Sequence, residues 1–183
     1  MESDLVKNKK VNGISIYIGS FLGAVLIMVL ILLANGIYPG SKRTLLLADM
    51  RTQFSAFLAS LRYIGQGDNT IFFNWSRTLG GNYLGLFAYY LASPLSWLVL
   101  FFDISHIADV VYLLTVLKIG LCGLTFALFL NRGVAQKPNH PVIIMFACCY
   151  ALMSYNIVYS FCIMWLDEVI LLPLVLLGIE HLL

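Results

Sequence analysis

ISIYIGSFLGAVLIMVLILLA, residues 14–34, runs for 21 positions without a charge. At 1.5 Å per residue, a helix of that length crosses a hydrocarbon core of about 30 Å. Lys7, Lys9 and Lys10 precede the run, and NGIYPG follows it. A cleaved signal peptide would carry a shorter apolar region with small residues at a cleavage site. The run therefore reads as a permanent anchor, with residues 1–13 as a cytoplasmic tail.

The rest of the chain agrees with a life in lipid. Of its 183 residues 61% are hydrophobic and only 11% charged, where a soluble domain carries about a quarter. A formal charge of +2 is too small to argue for nucleic acid or another acidic partner. Cys122, Cys148, Cys149 and Cys162 sit inside apolar runs without CxxC spacing and read as small buried hydrophobes. His106, His140 and His181 are isolated and form no ligand cluster.

Working outward from the anchor, further apolar stretches predict spans at 110–130 and 142–164, and a last one entering at 169–183. Between the first two lies a long loop, 35–109, with helices expected at about 45–64 and 84–102. The second of these has Pro94 in its middle. If 84–102 lies in the interface instead of crossing, the loop 131–141 with Arg132 and Lys137 faces the cytoplasm beside the lysine-rich tail. That satisfies the positive-inside bias. Residues 35–109 then face outward, as does a short turn at 165–168. The expected fold is all-α, a polytopic transmembrane protein. The chain stops at GIEHLL in mid-pattern and reads as the front portion of a longer one.

LLLADMRTQFSAFLASL, residues 45–61, sets Leu46, Met50, Phe54, Phe57, Leu58 and Leu61 on one helical face. Such a helix can lie on the membrane surface with that face down. Asp49 and Gln53 are four apart, hence neighbours. Asp49 is either a first-turn aspartate favoured by the helix dipole or a carboxylate placed to meet a lipid headgroup and a hydroxyl. Tyr83 and Trp97 read as members of an interfacial aromatic belt. Lys118 lies too deep in its span to snorkel out, so it pairs with a carboxylate from a missing span or faces an anionic ligand.

DMRTQF, then NWSRTLGGN, AYYLASP and VLKIGLCG, then YALMSYNIVYSFCIMWLDEVILLPLVLLGIE, follow an order that resembles the amino-terminal part of YfhO-like bacterial membrane proteins. Those are grouped with the GT-C class of polytopic glycosyltransferases. The resemblance runs from about residue 14 to the end. It implies a sugar carried on a polyprenyl phosphate, a membrane-lipid environment and an extracellular cell-envelope acceptor such as a teichoic-type polymer, in the plasma membrane. It matches Asp49 to the acidic residue of the first outer loop, as general base. Gln53 would then orient Asp49 or a sugar hydroxyl. Arg51, Arg62 or Arg77 would hold the phosphate, and Trp75, Tyr89, Tyr90, Lys118 and Asp167 would line the substrate site. Asp167 either shares the acid–base work, helps hold a divalent cation, or simply marks a turn with Glu168; no cofactor is required by the residues themselves. The competing expectations are a non-catalytic membrane protein, such as a transporter or a partner of a lipid-linked precursor, and an inactive truncated relative.

Overall fold

A computed structural model describes residues 2–67, 70–75, 79–134 and 139–183. Among these residues the protein is mostly helical, with one small hairpin and a non-helical loop after the first helix. Its α-helices are α1 (Glu2–Ala34), α2 (Ser55–Gln66), α3 (Leu84–Leu86), α4 (Ile107–Phe129), α5 (His140–Ala151), α6 (Ser154–Val158) and α7 (Trp165–Leu182), with shorter π and 3-10 segments between them. The hairpin pairs β1 (Phe73–Asn74) with β2 (Gly81–Asn82), antiparallel, Phe73 opposite Asn82. Among the described residues two helical stretches are long and apolar enough to cross a membrane, Gly13–Ala34 and Ile104–Gly133. The chain falls into two compact units, one of Met1–Leu32, Val116–Ser160 and Trp165–Leu183, the other of Leu33–Thr115 and Phe161–Met164.

In the first unit α1 buries Ile16, Ser20, Ala24, Met28 and Leu32, a stripe at four-residue spacing. Small residues let the helices touch. A Cβ at Gly120 would lie 2.6 Å from the Phe21 ring, and one at Gly123 would lie 3.0 Å from the Ser20 carbonyl oxygen. Without a hydrophobic drive between helices in lipid, such close approach supplies the packing energy. The opposite flank of α1 exposes Ile18, Leu22, Leu26 and Leu30, as a lipid-facing surface would.

The span expected at 142–164 is interrupted. Helix α5 stops at Ala151, and the short α6 follows. The cause is Asn156, whose buried amide donates to the carbonyls of Tyr150 at 3.1 Å and Ala151 at 3.0 Å. That side chain takes over carbonyls which a continuing helix would bond to its own amides. The turn expected at 165–168 is instead the first turn of α7. Pro173 lies inside α7 and has no N–H to offer the Val169 carbonyl one turn back. The Tyr150 hydroxyl donates to that carbonyl at 2.7 Å.

In the second unit the amphipathic face of residues 45–64 is real, but its partner is protein. Met50, Phe54, Leu58 and Leu61 are 1%, 2%, 2% and 0% exposed and pack with Tyr83, Leu86, Leu91 and Val99 in one core. The expected lipid-facing attachment of that face is corrected accordingly. The helical segment also starts later than residue 45, at Asp49–Met50. The 84–102 stretch is a pair, Leu84–Leu91 and Pro94–Phe101, bent by 100°. Pro94 begins the second arm, where its fixed φ and missing N–H suit a helix start. Arg62 ties this arm to α2, donating from Nη1 to the Leu100 carbonyl at 2.8 Å and from Nη2 to Asp103 at 2.9 Å. Tyr83 is buried, not part of an interfacial belt.

Candidate functional site

The first candidate, Asp49, closes a tight turn at the entrance to α2. Leu47 N donates to the Leu45 carbonyl at 2.8 Å, and Met50 N to the Leu47 carbonyl at 3.0 Å. Ala48 between them has φ +45°, in the left-handed region that costs an L-residue about 1–2 kcal/mol. Backbone strain of this kind gathers at functional positions because the surrounding structure must hold it. Asp49 itself is exposed and makes no side-chain capping bond. Its carboxylate stands at the amino-terminal end of the helical segment.

Met50–Phe54 then forms a π turn, with Ser55 N donating to the Met50 carbonyl five residues back. A second π turn, Phe87–Leu91, follows α3. These two wide turns carry four of the sequence-derived candidates, Arg51, Gln53, Tyr89 and Tyr90. Gln53 from the first and Tyr90 from the second line an open cleft of about 610 Å³, together with Phe57, Asn82, Gly85 and Leu86. Inserted π turns recur at functional sites because one extra residue re-aims the side chains around it.

Aromatic packing sets the cleft's wall. The Tyr90 ring lies 5.1 Å from Phe54 and 4.8 Å from Phe57. Tyr89, exposed, meets Tyr90 edge-on at 4.6 Å. On the hairpin side, the buried Asn74 amide donates to Ser60 Oγ at 2.6 Å, and Tyr83 N donates to the Phe72 carbonyl at 3.0 Å. Asn82 accepts the Leu84 and Gly85 amides at 2.9 and 3.4 Å, capping α3. Burial pushes the Tyr83 hydroxyl above its ordinary range, an effect that a hydrogen bond with Ser60 partly offsets. Gly80 turns the chain with φ +90°, where a Cβ would strike Phe73 at 2.7 Å.

Asp49, Arg51, Trp75 and Tyr89 are not part of the cleft lining. Asp49 and Arg51 belong to the same segment as Gln53. Trp75, 77% exposed, leans edge-on against Phe73 at 4.9 Å. Arg62 is committed to Leu100 and Asp103, and Arg77 lies outside the described residues. Sequence reasoning missed Phe57, Asn82, Gly85 and Leu86 as cleft residues. NWSRTLGGN carried Asn82 without marking it, and no periodicity announces a π turn.

Lys118 and Asp167 belong to the other unit. Lys118 Nζ donates to Asp167 Oδ2 at 2.7 Å, with side chains 2% and 29% exposed. Its carboxylate comes from α7 of this same chain, so no missing span need supply one. No three His, Cys, Asp or Glu side chains gather closely enough to hold a metal ion among the described residues.

The family profile of bacterial membrane protein YfhO matches residues 20–183. The chain belongs to that family. The match covers Asp49, both π turns, the cleft residues and the Lys118–Asp167 pair. No curated protein and no solved structure matches this YfhO-family chain.

Proposed function

We propose that this YfhO-family protein, embedded in the bacterial plasma membrane by several spans, transfers a sugar from a polyprenyl-phosphate donor to an extracellular cell-envelope acceptor such as a teichoic-type polymer. One observation carries the reading. An exposed carboxylate follows a strained residue and precedes a cleft walled by amide and aromatic side chains. Amides bond to sugar hydroxyls in either direction, and an aromatic ring offers its face to the apolar side of a pyranose.

In this reading Asp49 accepts the proton of an acceptor hydroxyl as that oxygen attacks the anomeric carbon. The bond from that carbon to the phosphate oxygen breaks, and polyprenyl phosphate leaves with the bonding electrons. A phosphate is already a good leaving group, so a positioned base and a cation such as Arg51 near the phosphate are sufficient chemistry. Gln53 and Tyr90 hold the sugar. Replacing Asp49 by Asn in the full-length protein tests this. Envelope-polymer sugar content should fall while the protein still accumulates in the membrane; unchanged sugar content at equal protein level rejects Asp49 as base.

A second reading has its own support. A helix pair broken at 100° and an ion pair within a span, Lys118 with Asp167, are features that transporters use at substrate pathways. A non-catalytic protein that moves a lipid-linked precursor would respond to changes at Lys118 and Asp167 and tolerate Asp49→Asn.

A further inference from the structure

The loop that follows α1 is folded on itself in a way its composition does not require. Gly36 and Gly40 take φ +73° and +78°, values a side chain resists. Ser41 N donates to the Tyr38 carbonyl at 2.9 Å, Tyr38 N donates to Ser41 Oγ at 3.2 Å, and that hydroxyl donates to the Arg43 carbonyl. Ile37 and Arg43 form a β-bridge. From outside the loop, Asp109 Oδ1 accepts the Gly40 amide at 2.8 Å. The ring so formed surrounds a pocket of about 510 Å³ lined by Gly36, Tyr38, Gly40, Ser41, Lys42 and Arg43.

We propose that this pocket binds the phosphate of an anionic membrane lipid. Two cations, Lys42 and Arg43, line it side by side, both exposed. Arg43 Nη1 donates to the Asn35 carbonyl at 3.2 Å, which orients a guanidinium whose fork of donors suits phosphate oxygens. The pocket's lining begins two residues beyond Ala34, the end of a helix long and apolar enough to cross a membrane, and residues just past such a span belong with the lipid headgroups. Tyr38 in the same ring has the amphipathic character of an interfacial side chain. The hydrogen-bonded loop thus presents both cations to one pocket. The proposal stands independently of sugar transfer. The same phosphate chemistry would also accept the headgroup of a polyprenyl phosphate, and the test separates the two sources.

The full chain, reconstituted in phosphatidylcholine nanodiscs, is compared with and without phosphatidylglycerol, and with a trace of polyprenyl phosphate. Retained lipid is counted by native mass spectrometry after release. Wild type should retain the anionic lipid over phosphatidylcholine, and K42Q/R43Q should lower that preference about thirtyfold. Arg132→Gln, which removes a charge from an exposed position elsewhere, should leave it unchanged. Preference for phosphatidylglycerol assigns the pocket to bulk lipid, and preference for polyprenyl phosphate alone assigns it to the carrier. Equal retention of charged and zwitterionic lipid by wild type overturns the proposal. So does a double variant that keeps the preference with native helix content, or an equal loss in Arg132→Gln. Competition by inorganic phosphate with no lipid retained also overturns it.

Discussion

Lys118 and Asp167, 49 residues apart in the chain, meet at 2.7 Å, with the ammonium far more deeply buried than the carboxylate. That asymmetry decides which partner is more costly to lose. Removing the carboxylate takes from a buried ammonium the anion it meets at 2.7 Å, the kind of loss that costs about 3–5 kcal/mol. Removing the ammonium leaves the more exposed of the two groups.

Asp167→Asn should therefore destabilise the protein more than Lys118→Met, despite the smaller change in shape. Thermal unfolding in one detergent, followed by helical circular dichroism, measures both. Equal losses would show that the pair's energy does not follow burial.

Tyr150 and Pro173 make a second such relationship. The hydroxyl replaces the amide that proline lacks, bonding the Val169 carbonyl at 2.7 Å. Tyr150→Phe keeps the ring stacked on Phe126 at 4.3 Å and removes only the bond. Stability should fall by about 1 kcal/mol. Pro173→Ala in the Tyr150→Phe background should restore most of it, because α7 then supplies its own donor. No recovery in the double variant would remove the link between these two residues.

Ala48 holds φ +45° directly before Asp49. Ala48→Gly relieves strain of about 1–2 kcal/mol and adds about 0.5–1 kcal/mol of backbone entropy to the unfolded chain. A net gain in stability of up to about 1.5 kcal/mol is expected. If the strain serves to hold Asp49, sugar transfer should fall in the same variant, a trade of activity against stability. A variant both more stable and fully active would show that the turn has no part in the chemistry.

Tyr90 and Gln53 differ in what they support. Tyr90 also packs on Phe54 and Phe57, whereas Gln53 is exposed on the cleft wall. Gln53→Ala should reduce transfer about tenfold through weaker donor binding, on the scale of one lost hydrogen bond, with unchanged thermal stability. Tyr90→Ala should lower both. Donor-concentration dependence in membranes, set beside unfolding curves, distinguishes them.

The first span, the core of the second near residues 110–130, and the buried face Met50–Phe54–Leu58–Leu61 are legible in the sequence because each is a local pattern. A charge-free run of sufficient length or a repeat near four residues needs no distant partner to be recognised. Asp49 and Gln53 stand out in the sequence for a similar reason, four apart on one expected helical segment. Family membership was legible in the order of short motifs.

Tertiary structure alone decided what those patterns meet. An apolar face is equally satisfied by lipid and by protein, since burial from water does not specify the neighbour. The bent pair 84–101, together with Val110, Val111 and Leu114, turned the choice to protein. The carboxylate beside Lys118, the end of α5 at Asn156 and the hydroxyl that answers Pro173 all depend on side chains brought from other elements. The cleft depends on two π turns, each a one-residue departure that shifts which atoms face it while leaving composition and hydrophobic period almost unchanged.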